Sequence, residues 1–192
     1  ETLLDALELG RVHLVGTSLG GHVLATVATR RASQVASLVL VGAVGLMPLG
    51  RDAGDAIRAN VRRTDREAIG GKMRFVFKNE ALVTDSLIEE EWRINNSPGA
   101  AESFEILGDY IAGKIDADNV LDALKAITPR APLLLVWGAD DKAVPPALGH
   151  SAAEALGCPL VLIPDAGHAP YMEQPHAFEA EVLPFLDRAA EA

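Results

Sequence analysis

The segment Gly16-Thr17-Ser18-Leu19-Gly20-Gly21 separates two apolar stretches of different character. Before it, residues 11–15 read as a short buried strand; after it, residues 22–30 carry helical spacing. A strand that turns straight into a helix through G-x-S-x-G needs glycines for close backbone approach, and it holds the serine at a strained apex with its hydroxyl exposed. At usages of roughly 7% each for Gly and Ser, chance alone supplies this pentapeptide in about one chain of this length in fifteen. The strand, turn and helix context must therefore carry the reading. It makes Ser18 a candidate nucleophile, the alternative being a glycine-rich packing turn.

The rest of the chain repeats the alternation. An opening helix is marked by Leu3, Leu4 and Leu7. Continuous apolar runs at 35–41, 132–138 and 159–164 suit parallel strands covered on both faces, and helical stretches are predicted at 147–156 and 176–190. Between about 46 and 128 the pattern changes: charges cluster from Arg51 to Arg66, Ser97-Pro98-Gly99 marks a turn, and 85–94 reads as a helix that Thr84 can cap, with Asp85 in its first turn. The expected fold is α/β, a doubly wound and mostly parallel sheet, with residues 1–45 and 129–192 as its core and 46–128 as an inserted helical cap.

Composition narrows the class. With 27 acidic residues against 17 Lys and Arg, the net charge of −10 repels nucleic acid on average. No apolar run reaches the roughly 18–20 residues of a transmembrane helix. Cys158 is the single cysteine, which excludes an internal disulfide and fits a reducing, cytoplasmic compartment. The chain opens on Glu1 in an apolar-periodic stretch and is read as beginning mid-protein. A small-molecule substrate is expected, without nucleic acid or a membrane span; a homo-oligomer is left open.

A serine hydroxyl needs a base, and the base needs a group to hold its tautomer. In chain order, Asp140 and Asp141 follow the strand that ends at Trp137-Gly138, and His168 follows the strand that ends near Pro164. Ligands of parallel sheets bind beyond such strand ends. His13, His22, His150 and His176 lie within predicted strands or helices and read as core or surface residues. No cluster has zinc spacing and no phosphate loop is present, so neither metal nor cofactor is expected.

Three blocks, V-H-L-V-G-T-S-L-G-G (12–21), W-G-A-D-D-K-A-V-P (137–145) and G-H-A-P-Y-M-E-Q-P (167–175), resemble the α/β-hydrolase superfamily. The resemblance implies a Ser18, Asp141, His168 triad, since the acid of its G-x-x-D-x-x-x-P pattern falls on Asp141 and leaves Asp140 as the neighbour. It also implies an oxyanion hole using the Leu19 backbone N–H, with a second donor from a loop much earlier in the chain, so these residues correspond to roughly the C-terminal two thirds of a hydrolase. Thr17, Val144 and Ala169 are candidate substrate contacts.

Within the cap, residues 75–88 are similar to the meta-cleavage-product hydrolases, which break a carbon–carbon bond in dioxo acids; Phe75, Phe77, Leu82, Leu87 and Ile88 also read simply as cap core. That family's pattern places arginine before the cap tryptophan, tryptophan after the catalytic histidine and asparagine before the serine. Here the corresponding residues are Glu91 before Trp92, Ala169 and Thr17, with Arg93 as the nearby cation. The expectation is therefore an esterase-like acyl hydrolase. Carbon–carbon hydrolysis and a non-catalytic binding module on the same fold are the alternatives.

Overall fold

The computed structural model describes residues 1–127 and 131–190. Helix α1 (Thr2–Ala6) leads into β1 (Val12–Thr17), α2 (Ser18–Arg30) and β2 (Val35–Val41). Among the described residues five α-helices follow: α3 (Arg51–Val61), α4 (Arg66–Val76), α5 (Asp85–Asn95), α6 (Ala100–Gly113) and α7 (Leu121–Ile127). The chain then forms β3 (Leu133–Gly138), α8 (Pro146–Leu156), β4 (Leu160–Ile163), the short α9 (Pro170–Glu173) and α10 (Pro175–Ala190). The strands make one sheet in the order β1-β2-β3-β4, and every pair is parallel.

The two central strands, VASLVLV and LLLVWG, are buried at every position, which is why they appear in the sequence as unbroken apolar runs. Alternation along them feeds two cores. On one face Leu38, Leu40, Leu133, Leu135 and Trp137 pack against α2, α7 and α8 through Ala25, Ala28, Leu124, Ala152 and Leu156. On the other, Val39, Val41, Leu134 and Val136 meet Phe178, Val182 and Phe185 of α10. Helices thus cover both faces, as the doubly wound reading requires. Trp137 is fully buried, and its indole N–H donates to the Val144 carbonyl at 2.8 Å, so the largest core side chain leaves no polar atom unpaired.

Helices α3–α7 interrupt the sheet between β2 and β3. Asp65 caps α4 by accepting from the Ala68 N–H at 2.8 Å, and Thr84 caps α5 by accepting from the Leu87 N–H at 3.2 Å, the second as predicted. Helix α3 packs along α6. The expected boundary at 128/129 lies outside the described residues. Helix α2 starts at Ser18, four residues before the helical spacing becomes clear at residue 22. Gly20 and Gly21 have poor helix propensity and hide the first turn from a periodicity reading. Because all four strands are parallel, their carboxyl ends open on one edge of the sheet, where the candidate groups lie.

Candidate active site

Ser18 is the first residue of α2, directly after the last residue of β1. Its φ is +51°, a left-handed conformation that costs a residue with a Cβ about 1–3 kcal/mol. Gly16 makes this turn possible: a Cβ there would fall 2.7 Å from the Gly20 carbonyl oxygen. Leu19, the candidate oxyanion donor, is in the first turn of α2, where backbone N–H groups lack helical acceptors.

Asp141 and His168 come together from two different loops. Asp141 is 4% exposed, and its carboxylate divides its work. Oδ1 accepts the N–H groups of Ala143 and Val144 at 2.8 and 2.9 Å, while Oδ2 pairs with His168 Nδ1 at 2.7 Å. The two backbone donors fix the carboxylate, and the carboxylate orients the imidazole, so that Nε2 is the nitrogen a base at this position would use. Asp140 turns the other way, to Lys78 Nζ at 2.6 Å. That ammonium also reaches Asp165 at 3.2 Å, and the two carboxylates, Asp140 foremost, hold its pKa above the ordinary lysine value.

Ser18 and His168 line one cavity of about 290 Å³. Leu19, Val44 and Val144 complete its sheet side, and Ile57, Val61, Phe75, Val76 and Leu107 close it from the α3–α7 side. Of the candidate substrate contacts, Val144 lines this cavity, whereas Thr17 and Ala169 are not among its lining residues. Two polar residues unforeseen in the sequence also line it, Asn60 and Lys72. Lys72 Nζ donates to the Arg63 carbonyl at 2.8 Å, and burial lowers its pKa against the opposing pull of Glu91 and Asp65. Arg93, the cation noted beside Trp92, instead pairs with Glu89 on the outer side of α5. Arg66 lies over the Trp92 ring, 3.7 Å from its centre.

A larger hollow of about 690 Å³ lies between α2 and α6 and touches neither Ser18 nor His168. His22 borders it, buried, with Nε2 2.9 Å from the Tyr110 hydroxyl. His13 Nδ1 lies 2.8 Å from the Ser37 hydroxyl. Burial pushes the Cys158 thiol up to about 11, away from reactive thiolate character. Among the described residues no group of three His, Cys, Asp or Glu could hold a metal, and no helix is long and apolar enough to cross a membrane.

The alpha/beta hydrolase family model matches residues 1–181. The chain belongs to that family. This α/β hydrolase is 31% identical over 189 residues to a dihydrolipoyllysine-residue acetyltransferase component of an acetoin cleaving system from Pseudomonas putida, covering 96% of this chain and 48% of that protein. It is 29% identical over 192 residues to a 2-hydroxy-6-oxononadienedioate/2-hydroxy-6-oxononatrienedioate hydrolase from Paraburkholderia xenovorans, covering 96% and 65%. Among solved structures, a meta-cleavage product hydrolase from Pseudomonas fluorescens superposes with a TM-score of 0.83 at 26% identity, covering 97% of this chain and 68% of that one. A thermophilic esterase from Thermogutta terrifontis superposes with a TM-score of 0.76 at 26% identity, covering 97% and 69%. The α/β hydrolase chain therefore spans about half the length of the first of these relatives and about two thirds of the second.

Two further residues beside the candidate site of this α/β hydrolase escaped the sequence reading, Lys78 and Glu173. Both fall inside quoted blocks, 75–88 and 167–175, but apart from Gly167, six residues from Glu173, their partners are far away in sequence. No local pattern announces such contacts.

Proposed function

We propose that the full-length protein is a serine hydrolase that cleaves a carboxylic ester or related acyl bond through an acyl-enzyme. Ser18 Oγ attacks the carbonyl carbon while His168 Nε2 takes its proton. Asp141 holds the tautomer and stabilises the imidazolium, and the Leu19 N–H meets the developing oxyanion. His168 then returns the proton to the leaving oxygen, and water repeats the sequence on the acyl-enzyme. Helices α3–α7 act as a cap over the bond being broken, within residues 46–128. The reaction needs neither metal nor cofactor, and the substrate is a small molecule met in the cytoplasm.

The observation that carries this reading is a left-handed serine at a helix start, sharing a cavity with a histidine whose Nδ1 is bound by a buried carboxylate. A fluorophosphonate probe tests it: Ser18 should be labelled, and Ser18→Ala should abolish labelling. An unlabelled Ser18 in folded protein would return the chain to a binding module.

A second reading is carbon–carbon hydrolysis of a dioxo acid by the same triad. Lys72 favours it, since a cation on the cavity wall is the feature such a substrate's carboxylate requires. Glu91, Ala169 and Thr17 favour the ester. Comparing kcat/KM for short p-nitrophenyl esters with that for a dioxo-acid ring-fission product separates the two. A much larger value on the dioxo acid overturns the ester reading.

A further inference from the structure

Glu173, the last residue of α9, is 7% exposed and among the described residues pairs with no cationic side chain. Three backbone N–H groups converge on its carboxylate instead. Oε1 accepts from Gly167 at 2.7 Å, and Oε2 accepts from Lys78 at 2.7 Å and from Asn79 at 2.9 Å. The first donor belongs to the residue before His168. The other two belong to the strap of residues 76–79 that leaves α4, more than ninety positions away in the chain for Glu173.

The strap also grips the histidine directly, because the His168 N–H donates to the Val76 carbonyl at 2.8 Å. Contact is so close that a Cβ on Gly167 would fall 2.4 Å from the Val76 oxygen and 2.8 Å from the Lys78 nitrogen. Both neighbours are backbone and cannot swing aside. Val76 meanwhile lines the cavity with Phe75. One residue thus forms wall for the substrate and anchors the backbone of the base.

We propose that Glu173 is a positioning residue for His168: its buried carboxylate clamps the 76–79 strap to the histidine loop, so that cavity wall and imidazole are set as one unit. The geometry demands a group that accepts on both oxygens. A buried carboxylate is costly unless its lone pairs are filled, and three N–H groups with no acceptor of their own would be left behind by any apolar replacement. A glutamine in this place must turn its NH₂ toward at least one of those donors, which separates the strap from the loop while keeping size and shape.

The proposal rests on the assignment of His168 as base, and the experiment separates the two. Glu173→Gln is made in the full-length protein, with Asn79→Pro as a second variant that removes one donor at an exposed position of the strap, together with the Asn79 side-chain bond to the Ala81 N–H, and leaves the glutamate in place. Folding is checked by thermal melting, kcat and KM are measured on a p-nitrophenyl ester, and the His168 Nδ1 proton is followed by NMR. We expect Glu173→Gln to lower kcat at least tenfold with KM within about twofold, and to displace the His168 signal. Asn79→Pro should do the same more weakly, by about threefold in kcat, and Glu173→Asp should recover part of the loss. A folded variant with unchanged kcat, or with an unmoved His168 signal, overturns the proposal. A displaced signal in a protein that neither labels with fluorophosphonate nor turns over ester sustains the clamp and removes the serine-hydrolase reading instead.

Discussion

Asp140 and Asp141 are adjacent in the chain and send their carboxylates to different partners: Asp141 Oδ2 lies 2.7 Å from His168 Nδ1, and Asp140 Oδ2 lies 2.6 Å from Lys78 Nζ. Asp141→Asn should therefore lower kcat by roughly 10³–10⁴-fold, because an amide facing Nδ1 stabilises the wrong tautomer. Asp140→Asn removes only an exposed ion pair and should leave kcat within about twofold. Steady-state kinetics on one ester decide it, and the opposite ranking would move the acid role to Asp140.

Ser18→Ala, His168→Ala and the double variant should share nearly the same residual rate. Members of a triad act as a unit, so the second loss adds little once the first has occurred. A double variant slower by the product of the single effects would show that the two residues work independently.

Trp137→Ala should destabilise the fold by about 3–5 kcal/mol. The ring lies at the centre of the α2, α7 and α8 face, and its removal also orphans the Val144 carbonyl beside the cavity. Equilibrium unfolding in urea, with the slope unchanged and the midpoint lowered, is the measurement; a shift below about 1 kcal/mol would mean the neighbours collapse into the space.

His22 gives a pH signature. Burial lowers its pKa, with Asp118 opposing, so the unfolded chain takes up a proton at about pH 6.5 that the folded one refuses. Stability from this group is present above that pH and is lost as pH falls toward the depressed folded pKa. His22→Gln can keep a bond to Tyr110 and should flatten the fall in stability between pH 7 and 5. An unchanged slope in the variant would place the dependence elsewhere.

Much of the sheet was legible because burial on both faces writes itself into the sequence. The strand at 35–41 was read residue for residue, and the strands at 133–138 and 160–163 within a residue of each end. The turn at Ser18 was legible through its glycines, and the positions of Ser18, Asp141 and His168 just past strand ends through the apolar runs that precede them. The start of α2 was obscured by Gly20 and Gly21. Lys72 and Asn60 were invisible because facing the cavity depends on how α3 and α4 pack, which no helical period records. Glu173 was invisible for another reason: its donors are backbone groups, and backbone carries no sequence identity.

Strands β2 and β3 are neighbours in the sheet although residues 42–132 run between them. The entropy of closing so long a loop grows only with the logarithm of its length, and halving or doubling it alters the cost by about 0.6 kcal/mol. Loop length therefore constrains this segment little; packing constrains it more, since Ile111 of α6 and Leu124 of α7 share one core cluster with Leu38 and Leu135. Residues 76–79 carry a further constraint. Any replacement must bring a short backbone segment back to the same spot with its amides facing the Glu173 carboxylate.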